Sequence, residues 1–201
     1  MRRKLVLASA SPRRKEILEQ MGLTFEICPA SGEEKLESED PEEAVKILSL
    51  QKALLTAAKQ TEPALVIGAD TVVAYGGRIL GKPADREDAC RMLRMLSGDT
   101  HMVYTGVTVI DTGSQAALAH FAEGTKVSLY PLPEAWISRY VDTGEPMDKA
   151  GAYAIQGGCM PFIREIQGEY VNVVGFPAAR FYQELLKQGI DLLEAKEEDE
   201  T

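Results

Sequence analysis

The sequence predicts an α/β protein, and three stretches carry that reading. Leu5, Val6 and Leu7 form a short strand that runs through Ala8, Ser9 and Ala10 into a helix opening at Pro12. Ala64 to Ala69 is a continuous apolar run of strand length, suited to a sheet interior. Helical patterns with their own start signals, at Asp40-Pro41 and at Asp85, alternate with these strands.

At the first helix, Ser11 is placed as N-cap and Pro12 fits the first helical position, where a missing N–H costs nothing. Arg13 and Arg14 follow, the wrong charge for a first turn whose unpaired N–H groups are already positive. Either they are surface residues pairing with Glu16 or Glu19, or an anion sits there. Hydroxyls from Ser9 and Ser11 with two guanidiniums at a helix start would suit phosphate. In that reading the arginines contribute little to folding. Ile17, Leu18 and Met21 follow helical spacing, Gly22 stops the helix, and Leu23 to Cys28 reads as a strand.

Pro29 to Asp40 is polar and acidic, a solvated loop by composition. Asp40 then caps a helix that should run to about Lys59, with Val45, Leu48 and Leu55 on one face. Lys52 falls on that same stripe. Its stem either snorkels past the core edge or reaches into an anionic site. The buried strand ends at Asp70-Thr71, and Val72 to Leu80 reads as a hairpin turning at Gly76-Gly77. Gly76 to Lys82 fits the spacing of a P-loop, but Pro83 replaces its Ser/Thr and the segment sits in a hairpin rather than between a strand and a helix, so the match is discarded.

A helix from Asp85 buries Ala89, Met92, Leu93 and Leu96 before Gly98. Val103 to Ile110 and Ala116 to Tyr130 read as a meander, the latter as one strand or two. Pro133 opens a helix that stops at Gly144. Residues 145–158 are glycine-punctuated, the texture of a loop that lets backbone approach a ligand. Phe162 to Ile166 and Tyr170 to Val174 read as strands, and Ala178 to Gln188 as a closing helix.

The 201 residues, 45% hydrophobic and 26% charged, suit one globular domain over residues 1–190 with an acidic tail over 191–201 that composition reads as disordered. The net charge is −9, and much of it lies in that tail, where Asp191, Glu194, Glu197, Glu198, Asp199 and Glu200 face only Lys196. Such a balance argues against duplex nucleic acid as a partner. Cys28, Cys90 and Cys159 are widely spaced and read as free thiols in a reducing cytoplasm. Two histidines, His101 and His120, leave oxygen ligands as the basis for any metal site. The apolar run after Arg2, Arg3 and Lys4 is too short for an export signal, and no membrane span is read.

Five blocks, in order, carry a resemblance: Ala8 to Arg14, Gln51-Lys52-Ala53, Gly68-Ala69-Asp70-Thr71-Val72-Val73, Leu80-Gly81-Lys82-Pro83, and Asp148-Lys149-Ala150-Gly151-Ala152-Tyr153. From Leu5 to about Leu186 the chain resembles the Maf family of nucleotide pyrophosphatases. That resemblance implies an elongated mixed sheet flanked by helices, two lobes with the site in a cleft, and a homodimer. It implies a reaction that splits a nucleoside triphosphate between its α and β phosphates, for which cations, a divalent metal such as magnesium or manganese and a water-activating carboxylate are needed.

Ser9, Arg13, Arg14, Lys52 and Lys82 are the expected phosphate ligands. Asp70 is expected to be the general base or to orient the attacking water, and to share the metal with Glu33 or Glu34; the two glutamates are not distinguished. Arg13, Thr71 and Gln156 match the subgroup acting on dTTP and UTP. Gln156 also has a physical reason, since an amide offers a donor and an acceptor to the imide edge of uracil or thymine. Competing readings keep the reaction but move the substrate to 7-methyl-GTP or non-canonical purines, or make the chain a non-enzymatic nucleotide-binding regulator of cell division. A regulator would not need Asp70.

Overall fold

A computed structural model describes residues 4–32 and 38–193. Glu33, Glu34 and the acidic tail from residue 194 lie outside the described residues. Strand β1 (Lys4–Leu7) lies between β2 (Glu26–Ile27) and β3 (Ala64–Tyr75), parallel to both. On its other side β3 pairs antiparallel with β5 (Thr100–Asp111), β5 with β6 (Ala116–Leu129) and β6 with β7 (Ile163–Gln167). The three-residue β4 (Arg78–Leu80) folds back on the far end of β3 through Gly76 and Gly77. Their φ values of +57° and +72° are what a two-residue primed turn requires. The mixed sheet expected for the family is present.

Side-chain alternation divides the sheet into two faces. Leu65, Ile67, Ala69, Val103, Val107 and Val109 build the main core with α1 (Pro12–Gln20), α3 (Arg86–Leu96), α4 (Glu134–Asp142) and α6 (Ala178–Lys187), where Phe176 and Phe181 are fully buried. The opposite face carries α2 (Pro41–Ala57), whose Asp40 cap accepts the Glu43 N–H at 2.9 Å. α2 touches the sheet backbone almost directly. A β-carbon on Gly68 would stand 2.2 Å from the Ser49 carbonyl, and one on Gly106 would stand 2.1 Å from the Val45 carbonyl. Beside these contacts Ser49 Oγ and Thr108 Oγ1 bond at 2.9 Å, fixing the rotation of the helix on the sheet.

Several elements differ from the sequence expectation. β3 does not end at Asp70-Thr71 but continues unbroken to Tyr75, because Asp70 and Thr71 pair with Gly106 and Thr105 of β5. Residues 116–129 form one strand, and the strand expected over Leu23 to Cys28 is only Glu26–Ile27. Leu55 is exposed, so the buried face of α2 runs through Ala44, Val45, Leu48, Ser49, Ala53 and Thr56 instead.

Tyr170–Val174, rich in valine, is a short helix, α5, rather than a strand. Asn172 decides it: its buried amide nitrogen sits within 3.2 Å of the Val103 and Glu123 carbonyls and of Thr125 Oγ1. A tertiary hydrogen-bond set of this kind overrides local strand propensity.

Gly68→Ala should destabilise the protein by at least about 2 kcal/mol, since the new methyl meets backbone that cannot rotate away. Gly81→Ala, where nothing lies within 4 Å of the added carbon, should change it by less than about 0.5 kcal/mol. Equal urea midpoints for the two variants would refute the close approach.

Candidate active site

The site is a notch in the sheet. β1 leaves β3 after Leu7, with a last bond from the Ala8 N–H to the Ile67 carbonyl, and β4 joins β3 only at Val73. Among the described residues, positions 68–72 therefore have β5 on one side and no strand on the other. A cleft of about 1010 Å³ opens there. The Ala8–Arg14 turn and the start of α1 form one bank, Gly81 and Lys82 with residues 145–156 form the other, and Asp70 and Thr71 lie in the floor. Every site residue named from sequence lines this cleft except Glu33 and Glu34, which fall outside the described residues.

Near the start of α1, Ser11 does not cap the helix with its side chain. Its N–H instead donates to Ser9 Oγ at 3.2 Å, which turns the chain into the notch. Arg14 is buried and donates through Nη1 to Ser9 Oγ (3.1 Å), through Nη2 to Thr71 Oγ1 (3.1 Å) and through Nε to the Gly175 carbonyl (2.9 Å). Thr71 Oγ1 bonds Thr105 Oγ1 at 2.9 Å, and Thr105 reaches the Asn172 carbonyl at 3.1 Å. Arg14 thus ties α1 to β3 and to the end of α5. The expectation that the arginines contribute little to folding does not suit Arg14, which is buried and donates to Ser9, Thr71 and Gly175, two of them buried themselves.

Lys52 reaches down from α2 and pairs with Asp70; the two side chains are only 12% and 15% exposed. The anionic group that Lys52 meets in this structure is the protein's own carboxylate. On the far bank Lys82 is exposed, with no ion pair among the described residues. Lys149 donates to Asp148 Oδ1 at 2.6 Å and to the Glu145 carbonyl at 2.9 Å. Asp148 is held below the usual carboxylate range, first by Lys149 and further by the charge of Arg13 across the notch. Gln156 is exposed at the end of this bank.

Beneath it Tyr153 Oη and His101 Nε2 lie 2.7 Å apart, and burial pushes His101 down to about 4. Lys149, Glu145, Tyr153 and Gly175 are cleft residues to which the sequence assigned no role. Lys149 and Tyr153 stand in a quoted block, but Gly175 follows α5, whose valines read as a strand.

Among the described residues no three His, Cys, Asp or Glu side chains gather as a metal cage. Of these residues Asp70 alone offers an oxygen ligand at the notch centre. One or two carboxylates completed by substrate phosphates is how magnesium is commonly held, so a carboxylate there fits that ion.

Residues 4–188 match the profile of the family described as Maf-like protein. The chain belongs to the Maf family. It is 54% identical to a protein of Agathobacter rectalis named dTTP/UTP pyrophosphatase, over 94% of this chain and 98% of that one. Proteins of the same name from Pelotomaculum thermopropionicum (51%, covering 95% and 100%) and Bacillus cereus (45%, covering 96% and 100%) are similar along the same length. A solved nucleoside-triphosphatase / dITP/XTP pyrophosphatase from Mycobacterium abscessus is a looser likeness, with a TM-score of 0.41 at 12% identity over 92% of this chain and 95% of that one, and bears no weight here. The five Maf blocks, far apart in sequence, all contribute to the walls of the one notch. No helix among the described residues is long and apolar enough to cross a membrane.

Two outcomes follow for stability. Arg14→Ala should cost about 2–4 kcal/mol in chemical denaturation, whereas Arg13→Ala should stay within about 0.5 kcal/mol. His101 is neutral in the fold but takes a proton near 6.5 when unfolded, so its contribution to stability is lost as pH falls from about 6.5 toward 4 and changes no further below that. A His101→Gln variant, which does not titrate there, should lose up to about 3 kcal/mol less across that window; parallel pH profiles for the two proteins would contradict a buried neutral histidine.

Proposed function

We propose that the chain hydrolyses dTTP and UTP to the nucleoside monophosphate and pyrophosphate. One observation carries the reading most of the way. In a chain of net charge −9, the notch gathers, among the described residues, Arg13, Arg14, Lys52, Lys82 and Lys149 against Asp70, Glu145 and Asp148. A positive cleft in a negative molecule concentrates small anions of high charge, as a triphosphate is. Relatives 45–54% identical along their full length carry the name of that activity.

In this reading the triphosphate lies along the notch, with Arg13, Lys82 and the backbone at Ser9 to Ser11 holding the phosphate oxygens. Arg14 keeps Ser9 and Thr71 in place rather than giving up its own bonds. Asp70 accepts the proton of the water that attacks the α-phosphorus, and pyrophosphate leaves toward Lys82. Lys52 serves twice, because it offsets the Asp70 charge while the notch is empty and is within its own reach of an arriving phosphate. Glu33 or Glu34 with Asp70 would hold a divalent cation, which when bound supplies charge neutralisation for the phosphates. Gln156 reads the imide edge of the base; Thr71, whose hydroxyl is engaged by the scaffold, acts on base choice through its neighbours. The half-buried Lys52–Asp70 pair favours an enzyme over a nucleotide-binding regulator, which needs cations but no such carboxylate.

Incubation of the purified protein with dTTP, UTP and CTP in magnesium, with products separated by ion exchange, tests this directly. The expected products are monophosphate and pyrophosphate, with UTP and dTTP preferred. A nucleoside diphosphate with orthophosphate would overturn the reading. Asp70→Asn should lower the rate at least about a hundredfold, and chelation of divalent ions should do the same.

A further inference from the structure

The segment carrying Gln156 is fastened on both sides of that residue by side chains from outside it. Upstream, the Ala154 N–H donates to Tyr140 Oη at 3.0 Å; downstream, the Gly158 N–H donates to Glu145 Oε2 at 2.9 Å. The two fasteners are neighbours: burial first, and then the adjacent Glu145 carboxylate, push the Tyr140 hydroxyl well above its usual pKa. Glycine makes the approach possible: a β-carbon at Gly157 would stand 2.0 Å from Glu145 Oε1, and one at Gly158 would stand 2.8 Å from the Tyr140 ring. Tyr140 is itself packed, 4% exposed and stacked on Trp136 with ring centroids 4.7 Å apart. Ala154 and Ile155 are buried, and Gln156, which also lines the cleft, is exposed.

We infer that Tyr140 and Glu145 form a clamp that sets the position of Gln156, and are positioning residues for selection of the base. The inference rests on the proposed pyrimidine triphosphate reading. A glutamine has three side-chain torsions, and its amide distinguishes an imide edge from the amino edge of cytosine only if its backbone stays within about half an ångström of one place. A loop of 154–158 with two adjacent glycines would wander without the clamp. Phosphate binding and water activation lie on Arg13, Lys82 and Asp70, in other elements, so loosening the loop costs discrimination more than turnover.

The test compares Tyr140→Phe, which keeps the ring and removes only the hydroxyl, with Glu145→Gln, which keeps the length and one acceptor. For each, kcat/KM is measured on UTP and CTP, alone and in a Gln156→Ala background, with amide hydrogen exchange over 154–158. Tyr140→Phe should lower the UTP-over-CTP ratio about five- to tenfold, with Glu145→Gln giving a smaller drop. Exchange at Ala154 and Gly158 should quicken, and in the Gln156→Ala background neither variant should lower the ratio further. Equal losses on both substrates, or a ratio that falls as far without Gln156 as with it, would overturn the clamp while leaving the pyrophosphatase reading intact. A wild-type protein that releases no pyrophosphate from UTP overturns the activity instead, and unchanged exchange at 154–158 in Tyr140→Phe then overturns the clamp by itself.

Discussion

Two missing β-carbons, at Gly68 and Gly106, let α2 lie against the backbone of β3 and β5, and the pairing of Lys52 with Asp70 follows from that contact. Lys52 is one turn beyond Leu48 on α2, and Asp70 is two residues beyond Gly68 on the same face of β3. Had the helix been held off by side chains at the usual spacing, the lysine would end in solvent above the sheet. The carboxylate would then sit on an open strand without a cation. The hydrogen bond of Ser49 to Thr108 and the burial of Val45, Leu48 and Ala53 serve the same placement.

The opposite face of the sheet is organised through Arg14 in a comparable way. Its guanidinium links the first helix, the central strand and the end of α5, so a residue read as a surface ligand is also a structural tie. This joins binding to folding at the notch. One of the bonds that Arg14 makes beside the N-terminal turn reaches the Gly175 carbonyl, some 160 residues later, at the end of α5.

The α/β class, the helix starts at Pro12, Pro41 and Arg86, and the primed hairpin at Gly76-Gly77 were legible in the sequence because each depends on local chemistry: fixed φ at proline, side-chain caps at Asp40 and Asp85, positive φ at glycine. The residues of the notch were legible chiefly through the family blocks, with charge placed against expectation at Arg13, Arg14 and Lys52 as an independent sign. Tyr170–Val174 was not legible, since a run of valines is a strand by propensity and becomes a helix here through the distant partners of Asn172. The continuity of β3 through Asp70 was hidden for a related reason: an aspartate breaks a strand unless something neutralises it, and the lysine that does so is on another element. Tyr140 and Glu145 gave no signal either, because a clamp is defined by what it touches; only the adjacent Gly157 and Gly158 hinted at a close approach.

The stretch of β3 that, among the described residues, has a strand on one side alone has a consequence for association as well as for ligands. A free strand edge usually invites a strand from another molecule, and long open edges are a hazard for soluble proteins. Here the opening spans positions 68–72 and is bounded by β1 at one end and β4 at the other. An incoming strand would have to fit between two occupied positions and lie among cationic side chains. The break is therefore wide enough for a small anion to meet bare backbone and too narrow to seed a growing sheet.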